Sequence, residues 1–145
     1  MKTPLQAIAS GSQITEYIPQ RSPIVMVDTL FGVEGEYSYS GLTVAPDNIF
    51  VENGRLNEPG IIEHIAQSCA LRVGYICKQQ CQPIPVGYIA AVKNMVFTSA
   101  PAVGDTVVTT VKILQEILDV TLVAAEVRNG ETPVATCEMK IFLNK

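Results

Sequence analysis

The chain has 145 residues, 48% of them hydrophobic and 17% charged, and a formal net charge of -4. That length suits one domain with a core needing no staple, and the composition excludes a disordered chain. A mildly acidic chain gains nothing from counterion release, which argues against nucleic acid as a partner, and no apolar run reaches the ~18 residues of a membrane span.

Residues Ser12–Ile18 read as a short helix capped by Ser12 and ended by Pro19. Pro23–Leu30 is an apolar run that reads as a buried strand, and Tyr37–Val44 alternates as a second strand. Ala45–Pro59, rich in Pro, Asn, Gly and Glu, reads as a loop. From Gly60 to about Gln79 the pattern turns helical, with Ile62, Ile65, Ala66, Cys69, Val73 and Ile76 forming one apolar stripe. Four strands follow, at Val86–Phe97, Thr106–Ile117, Val120–Arg128 and Pro133–Leu143. In the third of these hairpin connections Asn129-Gly130 supplies the turn. A lone long helix among antiparallel strands is an α+β layout. One antiparallel sheet wrapped around that helix is the arrangement known as the hot-dog fold, and residues 1–145 read as a single such domain.

The four cysteines, Cys69, Cys77, Cys81 and Cys137, form no C-x-x-C pair. Met1–Gly11 carries no apolar stretch of the signal-peptide kind. Free thiols in a reducing cytoplasm are therefore expected. The sole histidine, His64, argues against a metal site, and nothing in the sequence calls for a cofactor.

Three segments carry a resemblance. The first is Ile18-Pro19-Gln20-Arg21-Ser22-Pro23, continuing through apolar residues to Val27-Asp28. The second is Pro59-Gly60, apolar residues, then Glu63-His64-Ile65-Ala66-Gln67. The third is Gly87-Tyr88-Ile89-Ala90-Ala91-Val92, followed by Phe97, Pro101 and Gly104-Asp105. In this order they resemble the 3-hydroxyacyl-ACP (acyl carrier protein) dehydratases of fatty-acid synthesis, over nearly the whole chain. The resemblance implies a substrate, an acyl chain held as a thioester on a carrier protein, and a reaction, loss of water from its β-hydroxyacyl group. Such chemistry needs a base for the α-proton and an acid for the departing hydroxyl. The family takes the base from the histidine of its Pro-His-Arg motif and the acid from the helix glutamate, on two different subunits. A homodimer or higher oligomer follows from that division.

Here Gln20 occupies the place of that histidine. A carboxamide hydrogen-bonds a water or a hydroxyl but cannot accept an α-proton. Gln20 thus reads as the mark of a silenced or partner-completed site, or else as an exposed loop residue. Glu63 matches the helix glutamate, although fewer residues separate it from Pro59-Gly60 than in the family. Burial beside the apolar stripe would favour its neutral, proton-carrying form; the plain alternative is a first-turn glutamate serving the helix dipole. Gly60 is a candidate N–H donor to the thioester oxygen, with Pro59 beside it at the site, or simply a turn glycine. Gln67, one turn after Glu63, is a candidate substrate contact or a bond to Glu63, or helix-face decoration. His64 reads first as a surface or subunit-interface residue and second as a replacement base. Arg21, Arg72, Lys78 and Lys93 are candidates for the carrier or ordinary solvated charges.

The sequence therefore points to a dehydratase-family protein binding acyl-ACP, with a degenerate site or one completed in a heteromer by a histidine-bearing homologue. The alternatives are a hot-dog acyl thioesterase, whose helix carboxylate would activate water, and a non-enzymatic acyl-binding or structural subunit.

Overall fold

Alternation and turn chemistry explain most of the architecture. In the computed structural model, which describes residues 6–144, the chain opens with β1 (Ala9–Ser10) and a 3-10 helix (Gly11–Glu16). It continues through β2 (Thr29–Glu34), β3 (Tyr37–Thr43), the small hairpin β4 (Val51–Glu52) and β5 (Arg55–Leu56), and α1 (Glu58–Gln79). Four long strands close it: β6 (Val86–Phe97), β7 (Thr106–Ile117), β8 (Val120–Asn129) and β9 (Thr132–Asn144). Seven strands form one antiparallel sheet in the order β1-β2-β3-β7-β8-β9-β6. The sheet wraps α1, as expected, and α1 lies against β3, β7 and β6. No helix among the described residues is long and apolar enough to cross a membrane.

The four final strands sit where alternation placed them. Along β7, Val107, Thr109 and Val111 are buried, while Gly130 at φ 62° makes the β8–β9 turn that Asn129-Gly130 announced. Two expectations shift near the N-terminus. The short helix begins at Gly11, with Ser10 rather than Ser12 as its cap residue and Gln13 Oε1 accepting from Ser10 N–H at 3.0 Å. The apolar run Pro23–Leu30 is a strand only from Thr29 onward. Met26 and Val27 are buried, but the backbone of Ile24 and Met26 is bonded by side chains of α1 rather than by a ladder. An apolar run reports burial; it does not report which groups satisfy the backbone.

α1 begins two residues before Gly60. Asn57 is its N-cap, Glu58 lies in the first turn, and Pro59 occupies a first-turn position where no amide donor is needed. The predicted stripe also rotates. The face fully buried in the core carries Ile61, His64, Ile65, Ser68 and Leu71, whereas Ile62, Ala66, Val73 and Ile76 are only half-buried. Ile61, Ile65 and Cys69 join the main core beneath β7, β8 and β9. Leu71 joins a second cluster with Ala9, Ile14, Ile18, Val27 and Leu30. The apolar side chains of α1 that the core leaves half-covered border a cavity.

Candidate active site

That cavity lies between α1 and the inner face of the sheet and has a volume of about 250 Å³. Ala66, Cys69 and Val73 line it from α1, and Val111, Val123 and Ile141 from the sheet. Gln20 and Glu63 add two of its few polar groups. A wider groove of about 810 Å³ adjoins it toward the end of α1 and shares Arg72, Val73, Pro85, Ile113, Thr121 and Leu143. Together they offer an apolar path that begins at a carboxyl and a carboxamide.

Glu63 stands on the second turn of α1, half-buried. Among the described residues no hydrogen bond or ion pair ties its carboxyl down, so none of them competes with a ligand for it. Gln20 comes from the loop after the 3-10 helix. Arg21 holds that loop, its Nη1 donating to the Ile18 carbonyl at 2.6 Å and the Gln20 carbonyl at 2.8 Å. The Gln20 side chain is half-buried rather than exposed, and its Oε1 is sealed from solvent with no donor reaching it. Leaving such an acceptor unpartnered costs about 1–3 kcal/mol. Cys69, also in the wall, is no nucleophile. Burial, then the neighbouring Cys137, pushes its thiol up to about 12. Burial likewise pushes Cys137 up to about 11. All four cysteines are free.

A model of the ApeP-like family, described as ApeP dehydratase, matches residues 12–145. The chain belongs to the ApeP-like dehydratase family. Among solved structures it resembles a chain of the dehydratase heterocomplex ApeI:P from Xenorhabdus doucetiae, with a TM-score of 0.85, 17% identity and 91% of each chain covered. A conserved protein of Pseudomonas aeruginosa gives a TM-score of 0.68 at 18% identity, covering 90% of this chain and 98% of that one. A hypothetical thioesterase of Streptococcus pneumoniae, solved with coenzyme A, gives 0.63 at 10% identity over 79% and 84%. These likenesses are of fold, and the fold is the hot-dog. No curated protein matches.

Three expected substrate contacts, Gly60, Pro59 and Gln67, do not line the cavity. The Gly60 N–H is not open to a thioester oxygen, because it donates to Asn57 Oδ1 at 2.9 Å as part of the helix cap. Gly60 is glycine for space: a Cβ there would lie 2.6 Å from Phe50 Cβ. Pro59 is exposed on the first turn, outside the cavity lining. Gln67 does not bond Glu63. It is fully buried, accepting from Met26 N–H at 2.6 Å and donating to the Ile24 carbonyl at 2.8 Å. It is a clasp between α1 and the segment that follows the Gln20 loop. The candidate cations are also largely engaged. Arg72 donates to the Gly35 and Tyr37 carbonyls, and Lys78 pairs with Glu16 at 2.6 Å, while Lys93 is exposed on β6.

His64 is neither a surface nor an interface residue of this chain, for it has no exposure at all. Its Nδ1 donates to the Met26 carbonyl at 2.6 Å, since a carbonyl only accepts, and its Nε2 meets Thr109 Oγ1 at 2.7 Å. Both ring nitrogens are used, and His64 does not line the cavity that Glu63 lines. Sequence reasoning missed this role and that of Gln67. The available signal was their spacing of three on one helix face; the segment they grip was hidden by its strand-like composition.

The buried imidazole has a measurable consequence. Burial lowers its pKa from the ordinary 6.5, outweighing the Met26 bond and Asp28, which raise it. The unfolded chain therefore binds a proton that the folded chain resists. The resulting stability is full above about pH 6.5 and is lost as pH falls through the folded value. Urea midpoints taken from above pH 7 down to about pH 5 should fall more for the native chain than for His64→Gln. Parallel pH dependences would show that His64 does not carry the effect.

Proposed function

We propose that this ApeP-like chain binds a 3-hydroxyacyl chain carried as a thioester on an acyl carrier protein, and that it serves the dehydration as the acid-bearing half of a heteromer. In that reaction a base removes the α-proton, the C–O bond at the β-carbon breaks, the double bond forms, and Glu63 protonates the departing hydroxyl to water. The observation that carries the reading is the content of the cavity. Glu63 and Gln20 line one cavity that continues into an apolar path, the sequence resemblance puts Gln20 where the family has its base, and the only imidazole is locked in the core. The base then has to come from a histidine-bearing homologue.

The edge of the sheet supports a partner of like fold. β6 is the terminal strand and runs for 12 residues, with Val86, Tyr88, Ile89, Val92 and Val96 exposed along it. A long apolar edge is a template for pairing with another strand. The chain itself lines one cavity with both Gln20 and Glu63, so a partner joining there has to deliver its base into a pocket already bounded by this chain. The related ApeI:P structure is itself a dehydratase heterocomplex, which favours the same organisation here.

Copurification from the native host tests this reading. The expected result is a complex with a homologue carrying histidine at the Gln20 position, and that complex should convert 3-hydroxyacyl-ACP to enoyl-ACP. Recovery of homodimers alone, or release of free carrier thiol instead of enoyl product, would overturn it, the latter in favour of a thioesterase.

A further inference from the structure

The apolar path does not end where the cavity beside Glu63 ends. The cavity of about 250 Å³ and the groove of about 810 Å³ have Val73 of α1 and Ile113, Thr121 and Leu143 of the sheet among their common walls. These side chains are half-buried and border the junction of the two spaces. The cavity alone has room for about eight groups the size of a water molecule, at ~30 Å³ each. A methylene takes up similar room, so an acyl chain of about eight carbons fills it. A longer chain whose thioester end lies by Glu63 has to cross the junction.

The groove beyond could serve the tail of that chain or the phosphate-bearing arm of a carrier, and its lining favours the tail. Ile76, Ile84 and Val86 continue the apolar wall past the junction. Arg72 is the one basic side chain among the described residues that line the groove. Its guanidinium donates to the Gly35 and Tyr37 carbonyls, and Glu116 of the same groove opposes its charge. No spare cation among the described lining residues is left for a phosphate. Resting on the acyl reading above, we propose that this chain takes acyl groups longer than the cavity, whose tails pass between Val73 and Leu143 into the groove. These two residues, one on the helix and one on the sheet, set the length that is accepted.

Length is read through the burial of apolar carbon. A fully buried methylene contributes ~0.8 kcal/mol, about fourfold in affinity. The groove is wider than a single chain and buries each methylene only in part, so about twofold per methylene is expected beyond the junction. A phenylalanine at either wall fills the crossing and removes that gain.

The test is equilibrium binding of 3-hydroxyoctanoyl-pantetheine and 3-hydroxydodecanoyl-pantetheine to the full native chain, to Val73→Phe and to Leu143→Phe. The native chain should bind the dodecanoyl thioester at least about tenfold more tightly than the octanoyl one, given the extra methylenes. Each variant should bring that ratio to about one or below. The two act from opposite walls, so a folding failure in one, read from its Tm, leaves the other to decide. A native ratio near one, or a tenfold ratio that survives in a folded variant, would overturn the inference while leaving the acyl reading intact. Binding of neither thioester would bring down both.

Discussion

Replacing Glu63 by glutamine is expected to lower enoyl formation by about 10²–10⁴-fold in a heteromer whose histidine-bearing partner has had its own helix glutamate removed. That partner variant leaves Glu63 as the acid under test. Glutamine keeps the size of the side chain and removes the transferable proton. Because no hydrogen bond or ion pair among the described residues depends on the Glu63 carboxyl, the substitution removes chemistry without breaking a structural contact. The Tm should therefore stay near the native value while kcat falls. An unchanged kcat would mean that the carboxyl only decorates the helix start.

The second large effect concerns Gly74. Alanine in place of a helix glycine ordinarily gains up to ~1 kcal/mol from helix propensity. Here a Cβ would lie 1.9 Å from the Tyr17 carbonyl oxygen and 2.7 Å from its carbonyl carbon. The obstacle is backbone, so no side-chain rotation relieves it. Gly74 lets α1 pack directly on the end of the 3-10 helix, next to the Tyr17–Tyr75 ring contact and the Lys78–Glu16 pair. Gly74→Ala should therefore destabilise the chain by about 3 kcal/mol, the upper end of overpacking penalties. The check is the urea midpoint, and a midpoint equal to or above the native one would refute the close approach. The loss should extend to acyl binding, since the 3-10 helix leads into the Gln20 loop.

The contrast between these residues shows where sequence reasoning reaches and where it stops. β6, β7, β8 and β9 were legible because period-two alternation and an Asn-Gly turn are local properties, written in consecutive residues. The helix was legible for the same reason, and the motifs single out Gln20 and Glu63, two residues that line one cavity. What local pattern cannot supply is the identity of a distant partner. Pro23–Asp28 looks like a strand because it is apolar, yet His64 and Gln67 satisfy part of its backbone from 38 to 43 residues away in the chain. Gly60 looked like a free donor because helix starts have spare N–H groups, but Asn57 had already claimed it. That cap is written in Asn57-Glu58-Pro59, with an N-cap side chain followed by a first-turn proline. Gly74 gave no signal, since a close approach between α1 and Tyr17 exists only after folding.

A chain that holds the acid and lacks the base should turn nothing over by itself. The most direct measurement is enoyl formation from 3-hydroxyacyl-ACP by the purified chain alone, followed by mass spectrometry beside Gln20→His. The expected result is no product from the native chain and a measurable product from Gln20→His, which places an imidazole at the wall of the Glu63 cavity. Turnover by the native chain alone, abolished by Glu63→Ala, would contradict it.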